Sequence, residues 1–464
     1  MSRLVVVSNR VADLRKSAQS GGLAVALADA MKKRGGLWFG WDGKTGDMKG
    51  PGEPVIDDIG RVRTISVPLS RHDLENYYEG YANSVLWPLF HYRPDIVAYD
   101  SGYSHAYHAV NERFARLLAP HLRDDDIVWV HDYHLIPLAH YMRRIGCRQR
   151  IGYFLHIPFP PHELLAASPE HAELVETLLA YDVVGFQSSV DVANMRNYLE
   201  HRMNLGCGDD GFVINADGRT TFIGGFPISI DAGEFARMAE ATPDDVEFDM
   251  MWNRVLQRKQ VIGVDRLDYS KGIPNRVQAM AKMLEDHPEL ERRVSLLQIA
   301  QPTRENVDAY ADIRAELEGL TGAVNGRFSD FNWTPIRYMS RAVPRDKLAT
   351  LYRASHVGFV TPLRDGMNLV AKEFVAAQDP DDPGVLVLSQ FAGAAEELTE
   401  ALIVNPYDID DMAVKLYDAL ILPLDERKAR HESLFRRIAR NDTEAWLKSF
   451  ISRLESAQDG RAAA

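Results

Sequence analysis

Two cations follow an apolar run in the segment VIGVDRLDYSKGI, in which Arg266 and Lys271 are five residues apart. An arginine fork binds two phosphate oxygens at once, and a lysine ammonium binds them as a point charge. Because the Arg266 guanidinium and the Lys271 ammonium both follow the end of one strand, together they are suited to hold a diphosphate. The other interpretation is an exposed salt-bridge cluster, because Asp265 and Asp268 stand next to these cations.

The segment VTPLRDGMNLVAKEF predicts a second polar site, at a point where a strand gives way to a helix. The strand ends near Thr361 and the helix begins near Asn368, so free backbone amides and the helix dipole favour an anion there. Glu373 follows Leu369 by four residues and lies above the helix start, within reach of a ribose or sugar hydroxyl. The residues leave open that Asp365 only caps the helix and that Glu373 pairs with a surface lysine.

Histidines occur in two further segments, VHDYHLIP and FLHIPFPP, which contain His131, Asp132, His134, His156 and His162. His131 and His134 lack the i, i+4 spacing of a zinc-binding helix, and no carboxylate–histidine motif accompanies them. We therefore predict no metal site. We interpret these side chains, at strand ends, as partners of sugar hydroxyls, with a buried core histidine as the alternative for at least one.

The N-terminal segment combines strand-like residues 4–7, the cation Arg10, a polar loop with Gly21 and Gly22, and a helical pattern. A strand, a glycine loop and a helix in this order often receive a phosphate. The loop matches neither common nucleotide-binding glycine pattern. These residues predict a phosphate site without naming its ligand.

Short apolar runs alternate with helix-length segments along almost the whole chain. The candidate strands are LVVVS, DIVWVHD, RIGYFLHI, DVVGFQ, QVIGVDR, VSLLQIA, VGFVT, GVLVLS and ALIVNP. Most are apolar on both faces, as strands buried between two helix layers must be. The alternation predicts α/β domains with doubly wound parallel sheets.

A seam at residues 224–235, GGFPISIDAGEF, divides this series into two halves of similar size. We predict two Rossmann-like domains, over residues 1–229 and 230–442, that face each other across a cleft at the carboxyl ends of both sheets. Residues 443–464 are predicted to contain a helix with Trp446, Leu447, Phe450 and Leu454 on one apolar face. Packing of this helix back on the first domain is left open.

Composition narrows the class of protein. The 464-residue chain is 46% hydrophobic and has a net charge of -13, which favours globular domains and disfavours a nucleic-acid partner. Cys147 and Cys207 are far apart, as is common in a reducing compartment. No run approaches the ~18 apolar residues of a membrane span. We expect a cytoplasmic protein with no membrane partner, and homo-oligomerisation is left open.

Nine segments make the chain similar to the trehalose-6-phosphate synthase family of retaining glycosyltransferases. They run in the family's order from Leu4 to about Tyr407 and are LVVVSNR, SGGLAV, GGLWFGWDG, YYEGYANSVLWPLFHYR, VHDYHL, LHIPFPP, DRLDYSKGIP, VTPLRDGMNLVAKE and GVLVLSQFAGAA. The resemblance implies a GT-B fold of two Rossmann-like domains and transfer of glucose from UDP-glucose to glucose 6-phosphate. It implies no metal, no cofactor besides the nucleotide-sugar donor, and no protein nucleophile.

The resemblance also assigns residues to the two substrates. The donor residues that it implies are Gly22, Arg266, Lys271, Asp365, Asn368, Leu369 and Glu373. The acceptor residues that it implies are Arg10, Trp41, Tyr78, Trp87, Asp132 and Arg304, with Arg10, Tyr78 and Arg304 toward the acceptor phosphate. The catalytic residues that it implies are Arg266, Lys271, His156 and Asp365, of which His156 binds sugar beside the reacting centre.

Three other functions stay open at this point. A sibling transferase that uses glycerol 3-phosphate or another nucleotide would share the phosphate site, although Trp41, Tyr78 and Trp87 favour a sugar ring. A non-catalytic sugar-phosphate sensor is expected to lose a charged donor residue. All four charged donor residues are present in this chain, namely Arg266, Lys271, Asp365 and Glu373. A glycoside hydrolase would use two carboxylates, with Asp132 and Asp365 as candidates, but its chemistry has no use for a diphosphate site.

Overall fold

The computed structural model describes residues 2–15, 27–28, 31–46, 53–241, 258–304 and 307–457. They fall into two compact units, of which the first comprises Met1–Pro227 and Glu444–Ala464 and the second comprises Ile228–Thr443. Each unit is built around its own sheet. Within the described ranges, no helix is both long and apolar enough to cross a membrane.

The strands of the first unit form one sheet. They are β1 (Leu4–Arg10), β2 (Gly36–Gly46), β3 (Val55–Ile59), β4 (Val62–Ser70), β5 (Ile127–His131), β6 (Arg150–Phe154), β7 (Val183–Phe186), β8 (Phe212–Ile214) and β9 (Thr220–Gly225). Their order is β3-β4-β2-β1-β5-β6-β7-β9-β8. Neighbours are parallel except β3 with β4 and β8 with β9, so antiparallel pairs occupy both edges.

The helices of the first unit include one unusual element. The α-helices are α1 (Arg71–Asp73), α2 (Trp87–Phe90), α3 (Ser101–Leu118), α4 (Leu138–Arg144), α5 (His162–Leu165), α6 (His171–Leu178) and α7 (Ser189–Met203). A π-helix, Leu74–Leu86, fills the interval between α1 and α2. Such winding is usually a single turn and often marks a functional site. Two of its carbonyls also accept side-chain hydrogen bonds, Tyr78 from Asn83 and Glu79 from Ser84, each at 2.7 Å.

The second unit has a fully parallel sheet. Its strands are β10 (Lys259–Arg266), β11 (Val294–Gln301), β12 (Ile336–Met339), β13 (Val357–Val360), β14 (Val385–Ser389) and β15 (Leu402–Val404), in the order β12-β11-β10-β13-β14-β15. Its helices are α8 (Ala232–Glu240), α9 (Ile273–Asp286), α10 (Asp308–Phe328), α11 (Arg345–Arg353), α12 (Leu369–Ala377), α13 (Ile409–Ile421) and α14 (Leu424–Arg440). The strand order reverses between β10 and β13. Ligands of such sheets bind beyond the carboxyl ends of the strands at this reversal.

The last helix, α15 (Thr443–Glu455), packs on the sheet of the first unit. The ring of Phe450 stacks on Trp129 of β5 with centroids 4.7 Å apart. Glycines leave room for it, because a Cβ at Gly152 or Gly185 would lie within 2.7 or 2.8 Å of the Phe450 ring. The apolar face predicted for this helix is therefore buried on β5, β6 and β7.

The α/β fold class predicted from the sequence is confirmed in both units. All nine predicted strands are present, as β1, β5, β6, β7, β10, β11, β13, β14 and β15. Both sheets are mainly parallel, and helices connect most successive parallel strands.

Candidate functional site

Two loops of the second unit meet where β10 and β13 end. The loop after β10 contains a 3-10 turn, Tyr269–Lys271, and the loop after β13 leads into α12. The amide of Leu363 donates to the carbonyl of Ser270 at 2.8 Å and so joins the two loops. A Cβ at Gly272, where φ is +60°, would lie 2.5 Å from the Thr361 carbonyl oxygen. This close approach and left-handed backbone both require glycine.

Lys271, Asp365 and Asn368 form a polar cluster at this junction. The Nζ atom of Lys271 lies 2.5 Å from Oδ2 of Asp365, and the two side chains are 10% and 14% exposed. The Nδ2 atom of Asn368 donates to the same oxygen at 3.0 Å. The structure thus brings together three of the predicted donor residues. Their ammonium and amide suit phosphate oxygens, and their carboxylate suits sugar hydroxyls.

Asn368 also begins α12. Its φ is 75°, a left-handed conformation that asparagine tolerates better than most residues. Its side-chain oxygen accepts a hydrogen bond from the amide of Ala371 at 3.2 Å. The helix proper begins at Leu369, and the amides of a first helical turn attract anions. The phosphate contacts of Asn368 and Leu369 stay predictions.

A segment after β14 supports this loop, a role that was not predicted from the sequence. The amide of Gly393 donates to the carbonyl of Asp365 at 3.3 Å, and the amide of Ala394 donates to that of Met367 at 2.9 Å. A Cβ at Gly393 would lie 1.9 Å from the carbonyl oxygen of Gly366. The glycine in QFAGAA was the available signal, because glycine often marks such a close backbone approach.

Glu373 lies in the second turn of α12, and its carboxyl group is 16% exposed. Burial raises the pKa of this carboxyl to about 7, and the positive charge of Arg345 opposes the shift. The Nε atom of Arg345, in α11, lies 3.8 Å from Oε1 of Glu373. Its charged neighbour is thus an arginine from another helix and not the surface lysine of the alternative interpretation. A largely buried carboxyl with one arginine 3.8 Å away is suited to accept hydrogen bonds from the hydroxyls of a ligand.

Arg276 of α9 was also missed, although it ties the strand ends together. Its Nη1 atom lies 2.7 Å from Oδ2 of Asp265 in β10 and 2.9 Å from Oε1 of Gln298 in β11. Its Nε atom donates to Oγ1 of Thr361, just after β13, at 3.2 Å. Asp265, named in the salt-bridge interpretation, is buried with this partner. Arg266, the next residue, is exposed at the end of β10.

Arg304, predicted to bind the acceptor phosphate, follows β11 in the same unit. Its side chain is only 7% exposed and lies 3.6 Å from Oδ2 of Asp268. It also donates to the hydroxyl of Tyr310. The charges of Arg266 and Arg304 both act on Tyr310 and oppose the rise in its pKa that burial causes. The two arginines therefore share an electrostatic environment around one tyrosine.

Three predicted acceptor residues lie together in the first unit. Arg10, the last residue of β1, pairs in register with Trp41 of β2, and its Cζ atom lies 5.8 Å from the centre of the Trp41 ring. The ring of Tyr78, in the π-helix, is 5.4 Å from that of Trp41. A Cβ at Gly43 would lie 2.4 Å from the Arg10 guanidinium. A cation beside two aromatic rings suits a phosphorylated sugar.

Asp132 and Trp87 occupy other positions in the first unit. Asp132 follows β5 with a left-handed φ of 76°, and its Oδ1 atom accepts a hydrogen bond from the amide of His156 at 3.2 Å. Trp87 is 3% exposed, and its ring lies 5.6 Å from that of Tyr133. Asp132 and His156 thus meet at the carboxyl ends of β5 and β6, which are neighbouring parallel strands.

The histidines predicted as sugar partners have different environments. His131 Nδ1 and His156 Nε2 are 3.1 Å apart, and Gln187 lies 3.4 Å from His156 Nδ1. Burial lowers the pKa of His156 to about 3 and that of His131 well below its ordinary value, so both rings are neutral. The ring of His134 stacks on that of Tyr78, with the two centroids 5.7 Å apart.

His162 does not join this group, because its ring stacks on His201 at 5.1 Å and its Nε2 atom pairs with Glu163. Across the part of the chain that the structure describes, no three histidine, cysteine, aspartate or glutamate side chains converge as metal ligands do. Gly22, predicted to cover the donor phosphates, lies outside the described residues.

Two Rossmann-like units with polar clusters at their strand ends define the class, a glycosyltransferase of the two-domain α/β type. The family model of glycosyltransferase family 20 matches residues 3–456, and the chain belongs to that family. It is 46% identical to a trehalose-6-phosphate synthase of Enterobacter sp. (strain 638) over 98% of this chain and 95% of that protein.

Solved structures give the same result. A trehalose-phosphate synthase (UDP-forming) from Burkholderia xenovorans, in complex with glucose-6-phosphate, has a TM-score of 0.94 at 46% identity, over 98% of this chain and 100% of that one. A trehalose-6-phosphate structure from E. coli, bound with UDP-2-fluoro glucose, has a TM-score of 0.93 at 44% identity, over 98% and 99%.

Proposed function

We propose that this protein is an α,α-trehalose-6-phosphate synthase, which transfers glucose from UDP-glucose to glucose 6-phosphate with retention of configuration. The observation that carries the proposal is the Lys271–Asp365–Asn368 cluster at the start of α12. It provides a cation and free helix amides for a diphosphate next to a carboxylate for sugar hydroxyls. Family membership and the two substrate-bound relatives support the same reaction.

In the proposed donor complex, Arg266, Lys271 and the amides around Asn368 and Leu369 bind the diphosphate. Asp365 binds hydroxyls of the donor glucose, and Glu373 binds the ribose. Lys271 already contacts Asp365 in the free protein. This contact holds the ammonium in place before the donor arrives, so less side-chain ordering is required on binding. Gly22 is proposed to belong to the loop that closes over the phosphates.

The reaction breaks the bond between the anomeric carbon and the diphosphate oxygen. Negative charge then accumulates on the leaving UDP while the glucose becomes oxocarbenium-like. Cations and amides already aimed at the diphosphate therefore stabilise the transition state more than the ground state. The acceptor hydroxyl attacks from the same face, and its proton passes to the departing phosphate oxygen. Configuration is retained, and the route uses neither a protein nucleophile nor a metal.

The acceptor is proposed to bind through two groups of residues. Arg10, Tyr78 and Arg304 hold its phosphate, while Trp41, Trp87 and Asp132 hold its sugar. Fixing the acceptor by its phosphate turns an encounter of two molecules into an oriented reaction. His156 is proposed to bind sugar beside the reacting centre. Its ring is neutral there, because burial lowers its pKa to about 3. The Trp41–Tyr78 ring pair favours a sugar ring over a glycerol chain.

We further propose a cytoplasmic enzyme whose substrates are small molecules and which needs no cofactor beyond its donor. Cys147 and Cys207 are both free thiols, a state that suits a reducing compartment.

UDP release from UDP-glucose tests the proposed function. The assay compares glucose 6-phosphate, glycerol 3-phosphate, glucose and buffer alone as acceptors. We expect release that depends on glucose 6-phosphate and is much slower with the other additions. Equal release in buffer alone would indicate hydrolysis, and faster release with glycerol 3-phosphate would indicate a sibling transferase. If no UDP is released with any of these additions, the result would favour a non-catalytic sensor.

A further inference from the structure

Tyr310, near the start of α10, lies beside the proposed acceptor-phosphate arginine and has had no role so far. The tyrosine is 2% exposed. Its hydroxyl donates to Oδ2 of Asp268 at 2.9 Å and accepts a hydrogen bond from Nη1 of Arg304. The guanidinium carbon of Arg304 also lies 5.6 Å from the centre of the Tyr310 ring. The hydroxyl therefore bridges a buried carboxylate and a guanidinium, which also form a direct ion pair of 3.6 Å between Oδ2 of Asp268 and Nη1 of Arg304.

The carboxylate at the other end of this connection is fixed. Asp268 is fully buried, and its Oδ1 atom accepts a hydrogen bond from the amide of Ser270 at 2.9 Å. This bond caps the 3-10 turn that ends at Lys271, so Oδ1 is committed to the turn. The second oxygen, Oδ2, is the one that Tyr310 contacts. The rigid turn thereby sets the position of the tyrosine hydroxyl.

The direction of the hydrogen bonds follows from the protonation state. Burial and the charge of Asp268 hold the pKa of Tyr310 well above its ordinary value. The hydroxyl therefore stays protonated and donates a hydrogen bond to the Asp268 carboxylate. Its lone pairs are then left to accept from a donor, which is Arg304. A second aromatic ring, that of Tyr269, packs 5.4 Å from the Tyr310 ring and limits its movement.

We propose that Tyr310 is a positioning residue, whose hydroxyl, held by Asp268, orients the Arg304 guanidinium that binds the acceptor phosphate. The inference rests on the proposed function, in which Arg304 takes the phosphate of glucose 6-phosphate. A free arginine side chain has many rotamers, and ordering it on binding costs conformational entropy. Tyr310 places the guanidinium before the acceptor arrives, so this cost is already met in the free protein.

The test is Tyr310→Phe, which removes only the hydroxyl. Steady-state UDP release is measured with glucose 6-phosphate varied at saturating UDP-glucose, and then the reverse. We expect the KM for glucose 6-phosphate to rise about tenfold, because a hydrogen bond to a charged group is lost. The KM for UDP-glucose and kcat should change less than about twofold, a split that a purely structural role would not produce.

Tyr338→Phe is the matched control. Tyr338 is in β12 of the same unit, and its hydroxyl is buried with no hydrogen-bond partner among the residues that the structure describes. Removing this hydroxyl should leave both KM values at the wild-type level. A rise equal to that of Tyr310→Phe would show that the loss of any tyrosine hydroxyl in this unit has the effect, and would overturn the proposal.

A double-mutant cycle with Arg304→Ala isolates the connection. If Tyr310 acts through Arg304, adding Tyr310→Phe to Arg304→Ala should not raise the glucose 6-phosphate KM further. Effects that multiply, an equal rise in both KM values, or a Tyr310→Phe protein that fails to fold would each overturn the proposal. A wild-type enzyme that does not use glucose 6-phosphate would instead refute the proposed function. Wild-type KM values in Tyr310→Phe would refute only the role of Tyr310.

Discussion

Glu373 is a buried carboxyl in the proposed donor site, and we expect its ionisation to lower the stability of the free protein. Burial raises its pKa from the ordinary 4.5 to about 7, and Arg345 offsets the rise only in part. A difference of about 2.5 pKa units corresponds to about 3 kcal/mol, at roughly 1.36 kcal/mol for each unit. The folded protein is therefore less stable by about this amount wherever Glu373 is ionised.

The sign of the pH dependence is fixed by the direction of the shift. At a pH below 4.5 the carboxyl is protonated in both the folded and the unfolded chain, so its ionisation takes nothing from the free energy of unfolding. As the pH rises toward about 7, the unfolded chain loses this proton first, so the free energy of unfolding falls. Above the folded pKa the loss is complete. Glu373→Gln keeps the shape of the side chain but cannot ionise, so it avoids this loss.

Thermal unfolding of wild type and Glu373→Gln measures the effect. Near pH 5 the two proteins should melt at almost the same temperature, and near pH 8.5 the variant should be more stable by up to about 3 kcal/mol. For a unit of this size, that difference corresponds to about 6–12 °C in Tm. Glu318→Gln, an exposed position on α10, is the control and should show no such pH-dependent gain.

Donor binding should change in the opposite direction. An ionised Glu373 accepts hydrogen bonds from the ribose, so binding of UDP-glucose by wild type should weaken about tenfold from about pH 8 to pH 6. Titration of UDP-glucose without acceptor avoids the ionisation of glucose 6-phosphate. Glu373→Gln should bind the donor more weakly and with little pH dependence. A variant that is equally destabilised at both pH values, or a wild-type affinity that does not vary with pH, would refute this reasoning.

Two further substitutions separate the two substrates. Arg10→Ala should raise the KM for glucose 6-phosphate by about 30- to 100-fold, because charge-assisted bonds to a phosphate are lost. The KM for UDP-glucose should change little. Steady-state kinetics with each substrate varied in turn checks this, and the reverse result would place Arg10 on the donor. Lys271→Met should lower kcat by about 10²- to 10³-fold, because the ammonium faces charge that develops in the transition state. Single-turnover measurement of UDP release checks this, and an unchanged kcat would remove Lys271 from the leaving-group site.

Nine strands, most of them central in their sheets, could be predicted from the sequence because they are continuous apolar runs. β10 and β14 are buried on both faces, so VIGV and VLVLS carry the signal in every residue. Six of the strands that the structure describes were not predicted, β2, β3, β4, β8, β9 and β12, and three of these, β3, β8 and β12, lie at sheet edges. β3 has the sequence VIDDI, with Val55 and Ile56 exposed, and β8 has only three residues. Such strands bury little side-chain surface, so their sequences carry little pattern.

The three residues of the polar cluster at the start of α12 were singled out from the sequence, but the residues that support the site were not. Lys271, Asp365 and Asn368 stand out because polar residues follow strand-like runs. Their supports come from elsewhere in the chain: Arg276 approaches Asp265 from a helix, and Glu373 meets an arginine of α11. Such contacts depend on how a helix crosses the sheet, and the residue pattern of one segment does not predict that crossing. The π-helix that carries Tyr78 was likewise not predicted from the sequence.

The product of the reaction tests the central claim most directly. UDP-glucose and glucose 6-phosphate are incubated with the enzyme, and the products are identified by proton NMR and mass spectrometry. The proposed function predicts equimolar UDP and a 1,1-linked glucose disaccharide with one phosphate, in which both anomeric carbons have the α configuration. A β-linked product would contradict retention. Free glucose beside unchanged glucose 6-phosphate would contradict transfer to this acceptor.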